Sequence, residues 1–554
     1  MAKTGTARDP EGERWQVFFA ADHSDAEIPS GSVLITPKGD WNDFEYHTRV
    51  QYRIRSRLDD SVYRASGAIG FRNLEEGAEN GVDHLRKIVG GSSNGRVRAT
   101  SEHHFFTMLP SMQAYRDLVQ RMDADQAAEV LQAVNDLVAV NEFNPTESWI
   151  DEAVRLPVFT LSFIRESEAF FAYKNAGFVL RGLSMERLGG FSESLRIHFR
   201  LAGRENEHNL RFDFKHQDVL PRRISVIIGK NGVGKSQTLG RIVRAALNDD
   251  SALTDGETGG RPVINRILAF APTNEAETVF PPERRKSPRI WYRRLSLNRA
   301  RRSRRNESVC DLIVQLARSV EFIQDRSRWE IFLSALEAID SSDQLCLPSL
   351  TEAPGYIALS KLRLGSEQRL LERFAGLDTG REVVRLIDGK GYPLSSGEIS
   401  FLKFVAQASL HIENGSLLLI DEPETHLHPN FVSRFVALLD GLLEQTGSAA
   451  IVATHSVYFV REVFREQVTV LRLDASGWIE ASTPTLRTFG ADVGAISYFV
   501  FGEDEPSTLA ARVQDKLLQQ SLPWSELYAR YRDELSPEFL SRLKAAMQGD
   551  KGIV

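Results

Sequence analysis

Four short stretches carry residues that could do chemistry together. Gly229-Lys230-Asn231-Gly232-Val233-Gly234-Lys235-Ser236 places a lysine and a serine directly after two glycines at fixed spacing. Such glycines let backbone N–H groups turn inward on phosphate oxygens. Lys235 then suits the outer phosphates of a nucleotide, and the Ser236 hydroxyl suits Mg²⁺. Gln237 follows and is counted with the loop. Leu417-Leu418-Leu419-Ile420-Asp421-Glu422 ends an aliphatic run in two carboxylates. Asp421 is expected to hold Mg²⁺ through water, and Glu422 to orient and deprotonate an attacking water. Ala449 to Thr454 is a second aliphatic run, ending in His455, which could hydrogen-bond a terminal phosphate. Finally, Leu394-Ser395-Ser396-Gly397-Glu398 opens an apolar helical stretch from Ile399 to Ile412. Ser395 or Ser396 can cap that helix and leave its N-terminal N–H groups facing an anion. The expected chemistry is attack of water on the γ-phosphate of ATP.

These groups need a frame. Ile224 to Ile228 reads as a buried strand before the glycine loop, and Thr238 to Val243 as the start of a helix after it. Strand, glycine loop and helix is the context a phosphate loop requires. The carboxylates and His455 then stand at the C-terminal ends of further buried strands, where α/β sheets place ligands. Leu195 to Leu201 and Leu210 to Phe214 alternate apolar and polar residues, as a half-buried hairpin does. A strand from Ile264 to Phe270 is followed by Thr273 and Asn274, the candidates for a glutamine-loop position.

Before the hairpin, strands are expected at Trp15 to Phe19, Ser32 to Ile35 and Val50 to Ile54. The turn-rich loop Gly91 to Gly95 is expected to separate them from helices at Met112 to Met122 and Asp125 to Val138. Between Pro281 and Arg305 the chain is strongly basic, from Arg284 and Arg285 to Arg304 and Arg305, with Trp291 and Tyr292 inside the run. Cations for phosphate and aromatics for base stacking would suit nucleic acid, and a solvated basic loop is the plain alternative. Asp311 to Ile339 reads as helical. Near the end, Trp524, Leu527, Tyr528, Tyr531 and Leu535 share a helical face that is either core or docking surface, with core favoured.

The chain has 554 residues, too many for one core. Its net charge of -7 confines any nucleic-acid surface to a local patch. The two cysteines, Cys310 and Cys346, make no metal or disulfide framework. No run is long enough to cross a bilayer, so a cytoplasmic protein is expected. His426 and His428 could pair on a metal, although a structural role is favoured.

In their order, the motifs resemble those of ABC-type ATPases: Walker A at Gly229 to Ser236, signature at Leu394 to Glu398, Walker B at Leu417 to Glu422, switch histidine at His455. The wording Asp421-Glu422-Pro423-Glu424-Thr425-His426-Leu427-His428-Pro429 is similar to the RecF/OLD-like branch, and most similar to the Septu and retron-associated PtuA-like defence ATPases. Ser396 and Glu398 depart from the glycine and glutamine usual in transporter signatures.

The resemblance implies an AAA-type ATP-binding core, with ATP and Mg²⁺ as cofactors. It also implies a homodimer or higher oligomer clamping ATP between Walker A of one subunit and the signature of the other. An HNH-type nuclease partner in antiphage defence is implied, with no membrane. The alternatives are a RecF-like DNA-repair ATPase, or an ATP-dependent binding switch that touches no nucleic acid. The expected fold is an α/β P-loop NTPase of ABC type. It has an antiparallel β-subdomain and a basic helical insertion at about 280–390, within a domain at 191–500. An α+β region at 1–190 precedes it and a helical tail at 501–554 follows.

Overall fold

The computed structural model describes residues 15–21, 28–39, 46–57, 59–75, 80–92, 95–183, 191–201, 206–215, 220, 222–271, 276–283, 289–297, 308–351, 355–426, 429–474, 477–501, 508–520 and 522–549. Thr273, Asn274, Arg284 to Lys286, Arg299 to Arg305 and His428 lie outside them, as does the side chain of His426.

A seven-stranded sheet positions the chemistry. Its strands are β1 (Ile224–Gly229), β2 (Arg266–Ala271), β3 (Trp291–Ser296), β4 (Leu417–Asp421), β5 (Ala449–Thr454), β6 (Val468–Leu473) and β7 (Ile479–Ser482). Across the sheet they run β3-β2-β4-β5-β1-β6-β7. All neighbours are parallel except β6 and β7. Every residue of β1, β4 and β5 is buried. Strands covered on both faces need no polar side, so their sequences are unbroken apolar runs. Helix α1 (Lys235–Asn248) follows β1, α2 (Ser396–His411) carries the Ser-Ser-Gly-Glu motif, and α3 (Pro429–Thr446) links β4 to β5.

The alternating hairpin forms as expected. Ser194–Arg200 pairs with Glu207–Asp213, and Leu253–Asp255 adds a third antiparallel strand. Leu195, Ile197, Leu210 and Phe212 are buried while Arg196, His198, Asn209 and Arg211 are exposed, the period of two that a half-covered sheet requires.

The insertion is mixed rather than wholly helical. It holds a four-stranded antiparallel sheet in the order Tyr356–Ala358, Leu345–Pro348, Val384–Ile387, Lys390–Pro393. The helix expected over Asp311 to Ile339 is two helices, Val309–Arg318 and Arg328–Leu336. A short hairpin, Phe322–Ile323 with Arg326–Ser327, separates them. Each begins in a capping box, Ser308 with Asp311 and Ser327 with Glu330. Each box satisfies two backbone donors at a fresh start, so the second start ends any continuous helix.

The first part of the chain forms a six-stranded sheet, ordered Arg96–Arg98, Gln16–Ala20, Ser32–Pro37, Arg49–Arg55, Val62–Phe71, Phe105–Met108. The Gly91 to Gly95 loop lies between helix Val82–Gly90 and an edge strand, and so does not divide strands from helices. Met112–Met122 is helical. The helix expected from Asp125 to Val138 breaks into Ala124–Ala133 and Leu137–Phe143. Asn135 takes a left-handed φ of 54° there, and Asp136 accepts the N–H groups of Val138 and Ala139 at 3.0 Å each. A cap of that kind fits a helix start and not a helix interior.

One unit runs from Met1 to Gly490, and Ala491–Val554 is a second. A single hydrophobic cluster includes Trp15, Phe71 and Phe171 from the first region and Leu417, Ile451 and Ile479 from the large sheet. The approach is close at Gly415, where an added Cβ would stand 2.2 Å from the Phe171 ring. The second unit holds the helices Val493–Phe501, Thr508–Gln519, Trp524–Tyr531 and Pro537–Gly549. Leu517, Leu527 and Leu543 form its own core, with Trp524, Tyr531, Leu535 and Phe539 against it. The aromatic face therefore serves mainly as core within the tail. Among the described residues no helix is long and apolar enough to cross a membrane.

Candidate nucleotide site

Three adjacent strands, β4, β5 and β1, deliver the expected residues to one end of the sheet. Their register aligns Asp421 with Ala453, and Thr454 with Ile228. The turn after β1 is built by Gly232 and Gly234, with φ of 83° and 94°. L side chains rarely adopt these values. Gly229 answers a packing demand instead, since a Cβ there would lie 2.4 Å from the Leu471 carbonyl oxygen on β6.

Lys230, Asn231 and Gly232 are exposed on the loop, Val233 is buried beneath it, and Gln237 is exposed on α1. Lys235 is buried, its Nζ donating to the Gly229 and Lys230 carbonyl oxygens at 2.9 and 3.2 Å. Burial holds its pKa below the ordinary lysine value, against the carboxylates of Glu422, Asp421 and Glu424. The Ser236 hydroxyl donates to Asp421 Oδ1 at 2.8 Å across 185 residues of chain.

Burial pushes the Asp421 carboxyl up to about 7, and the charges of Glu422 and Glu424 add to the rise. Ser236 and Lys235 act in the opposite direction. A hydroxyl and a carboxylate are hard oxygen ligands, and a buried acid crowded by two others is an environment that a divalent cation relieves. The residues present therefore fit Mg²⁺ at Ser236 and Asp421. The glycine turn and Lys235 at the N-terminus of α1 fit a phosphate chain.

Glu422 sits just beyond β4 with φ of 42°, its N–H bonded to the Ala453 carbonyl at 2.8 Å. His455 lies across from it, with Nδ1 3.8 Å from Glu422 Oε1 and 3.1 Å from Glu424 Oε1. Glu424 was not among the residues singled out from sequence. It is buried, and its Oε1 also accepts the Thr454 hydroxyl at 2.5 Å and the His455 N–H at 2.8 Å. The signal available in the sequence was a third carboxylate after β4, without any sign of its partners.

The signature residues form a helix start. Ser395 caps α2, its hydroxyl accepting the Glu398 N–H at 3.3 Å. Glu398 returns to the Ser395 N–H and hydroxyl at 2.8 and 2.7 Å, and receives Arg385 Nη2 at 2.8 Å. Burial alone would raise the Glu398 pKa, but the Ser395 bonds and the Arg385 charge hold it below the ordinary value. Glu398, expected to face nucleotide, is thus engaged in its own cap. Ser396 and Gly397 open the helix. Among the described residues, no hydrogen bond of Ser395 or Glu398 reaches the phosphate loop of the same chain.

The aromatics of the basic run are sheet residues. Trp291 and Tyr292 belong to edge strand β3. Tyr292 is buried, and its hydroxyl donates to the Pro281 carbonyl at 2.9 Å. Trp291 lies under the Arg266 guanidinium and beside His411. Arg289 pairs with Asp249, and Arg293 with Glu283. Tyr292 is thus packed in the sheet and not offered for base stacking, while Trp291 is half-buried at the sheet edge.

Sheet order, glycine turn and carboxylates together define a P-loop nucleotide-binding fold of ABC type. Residues 224–461 match the family described as "AAA domain, putative AbiEii toxin, Type IV TA system". The chain is 24% identical over 411 residues to protein ea59 of Escherichia phage lambda, which spans 68% of this chain and 75% of that protein. Among solved structures it is similar to UvrA2 from Deinococcus radiodurans at 15% identity and a TM-score of 0.26, covering 56% of this chain and 40% of that one. It is also similar to an SMC head bound to the C-terminal winged-helix domain of ScpA, at 14% identity and a TM-score of 0.27. That match covers 53% of this chain and 98% of the other.

Proposed function

We propose that the protein is an ATPase that closes as a dimer around ATP and reopens on hydrolysis. The observation that carries this reading is the convergence of Lys235, Ser236, Asp421, Glu422 and His455 at the ends of three neighbouring strands. In this reading Gly229 to Ser236 wraps the phosphates. Lys235 neutralises charge on the outer two, and Glu422 accepts the proton of the attacking water. Mg²⁺ at Ser236 and Asp421 would supply a counter-charge for the developing negative charge. His455 bonds the γ-phosphate. Ser396 and Gly397, at the free start of α2, complete the site of a second copy. The exposed α2 start, with its cap turned on itself, supports a role toward another molecule.

The motif wording supports a regulatory role toward a partner nuclease in antiphage defence within the cytoplasm. A native pull-down with mass spectrometry of the assembly tests that extension.

Replacing Glu422 with Gln tests the core reading. The amide keeps the shape and loses the base. Hydrolysis should fall by about 10²-fold or more while ATP binding persists, and an ATP-bound dimer should accumulate on a sizing column. Hydrolysis near the wild-type rate would remove Glu422 from the role of base.

A further inference from the structure

We infer that Glu424 is the positioning residue for His455, a role that rests on the ATPase reading above. Two hydrogen bonds converge on one oxygen of this buried side chain, and the histidine ring lies beside it. The Thr454 hydroxyl and the His455 N–H bond Oε1, and His455 Nδ1 stands 3.1 Å from it. The Thr454 hydroxyl in turn accepts the Ser456 N–H at 2.9 Å. The strand end and the histidine backbone are thus tied to one carboxylate, with the ring at contact distance from it.

The charge pattern fixes the ring. Its Nδ1 edge faces two carboxylate oxygens, from Glu424 and, at 3.8 Å, Glu422. A bare lone pair there would be repelled, so Nδ1 carries a proton. Nε2, on the far edge of a half-exposed ring, is left for the nucleotide. Glu424 sets a carboxylate oxygen 3.1 Å from the ring. A neutral acceptor could satisfy Thr454 and the backbone N–H equally well. A carboxylate adds what a neutral acceptor lacks, a negative charge beside the ring.

A cycle of variants tests this. Glu424→Ala should lower kcat by about tenfold and change KM for ATP by less than about twofold. Glu424→Gln keeps an acceptor for Thr454 and the His455 N–H, so it should hold the wild-type melting temperature yet lose kcat similarly. Combined with His455→Ala, either change should cost nothing beyond His455→Ala alone. Losses that multiply would overturn the inference.

Ring ¹⁵N shifts of the nucleotide-free protein give a readout independent of turnover. Wild-type His455 should carry its proton on Nδ1, and Glu424→Ala should move it to Nε2. The same tautomer in both would also overturn the inference. A wild-type protein that binds ATP without turnover would defeat the hydrolysis reading, and the tautomer measurement would still decide the role of Glu424.

Discussion

At the scale of residues, the site holds its acid in an uncommon backbone state. Glu422 has φ of 42°, a region that L residues enter at a cost of about 1 kcal/mol. The turn is held by Glu422 N–H to Ala453 and by Thr425, whose N–H and hydroxyl both donate to the Glu422 carbonyl at 3.2 and 3.0 Å. Two inactive variants should therefore differ in stability. Glu422→Gly should be more stable than Glu422→Ala by about 1 kcal/mol, since glycine accepts positive φ without a Cβ clash. Urea unfolding of the two measures this, and equal midpoints would mean the backbone there is relaxed.

Much of the site was legible at this scale, because Lys235, Ser236, Asp421 and Glu422 stand in short patterns whose spacing is itself the signal. Glu424 was not, because its partners Thr454 and His455 lie about thirty residues on, beyond α3. Nothing local in the sequence marks a bond that a sheet register creates. The same-chain partners of Glu398 were only half legible. Its spacing from Ser395 is that of a capping box, and its ion pair with Arg385 is made by the fold.

Among the elements, α2 is anchored at both ends. Its start is capped by Ser395 and Glu398. Just beyond its end, Glu413 is buried between two arginines from different parts of the chain. Arg116, from helix Met112–Met122, donates to Glu413 Oε1 at 2.9 Å, and Arg328 Nη2 stands 3.6 Å from Oε2. Burial by itself would raise the Glu413 carboxyl, but Arg116, Arg266 and Arg328 bring it down to about 2. Arg328 also donates to the Ser409 carbonyl at 3.2 Å and to that of Ile412, covering the last turn of α2.

Glu413→Gln takes the carboxylate from buried Arg116 and leaves Arg328 with Glu321 as its anion, and should destabilise the protein by about 3–5 kcal/mol at neutral pH. The sign of the pH dependence follows from the lowered carboxyl. The stabilisation is complete above the ordinary glutamate range near 4.5 and fades as pH falls toward about 2. Wild type and variant should thus converge in acid. A stability gap that is flat between pH 7 and pH 3 would count against the ion cluster.

Element types were read well where burial was complete, as in β1, β4 and β5. They were read poorly at edges. Strand β3 buries Tyr292 and Leu295 three residues apart, without the period of two, and its arginines hid a strand inside what looked like a basic loop. The Ser308 and Ser327 caps were present in the sequence as Ser-x-x-acid spacings, and they mark the helix starts that a continuous reading passed over.

For the molecule as a whole, the proposed shared site makes a prediction that no single subunit can mimic. Lys235→Ala should weaken phosphate binding in its own subunit. Gly397→Asp should place a carboxylate at the start of α2, against the γ-phosphate held by the partner, and block hydrolysis there. Mixed and allowed to exchange, the two inactive proteins form some dimers with one site carrying both changes and one carrying neither. ATPase activity should reappear on mixing, approaching half that of wild type per mixed dimer. Silence after exchange is verified by mass, in a system where a linked dimer turns over at one site, would refute the shared site.

The order of strands in the large sheet has a consequence for synthesis. Strands β4 and β5 lie between β2 and β1, yet they are made after both. When β2 leaves the ribosome, the place beside β1 that belongs to β5 has no strand to fill it. The 185 residues from Ser236 to Asp421 take roughly 10–40 s at ordinary elongation speeds of about 5–20 residues per second. Over that interval the growing chain carries a phosphate loop without its metal-binding carboxylate, and apolar strand edges with two strand places between them. Nascent chains stalled before residue 417 should therefore be held by chaperones and fail to retain ATP, and those stalled after β5 clears the exit tunnel should bind it.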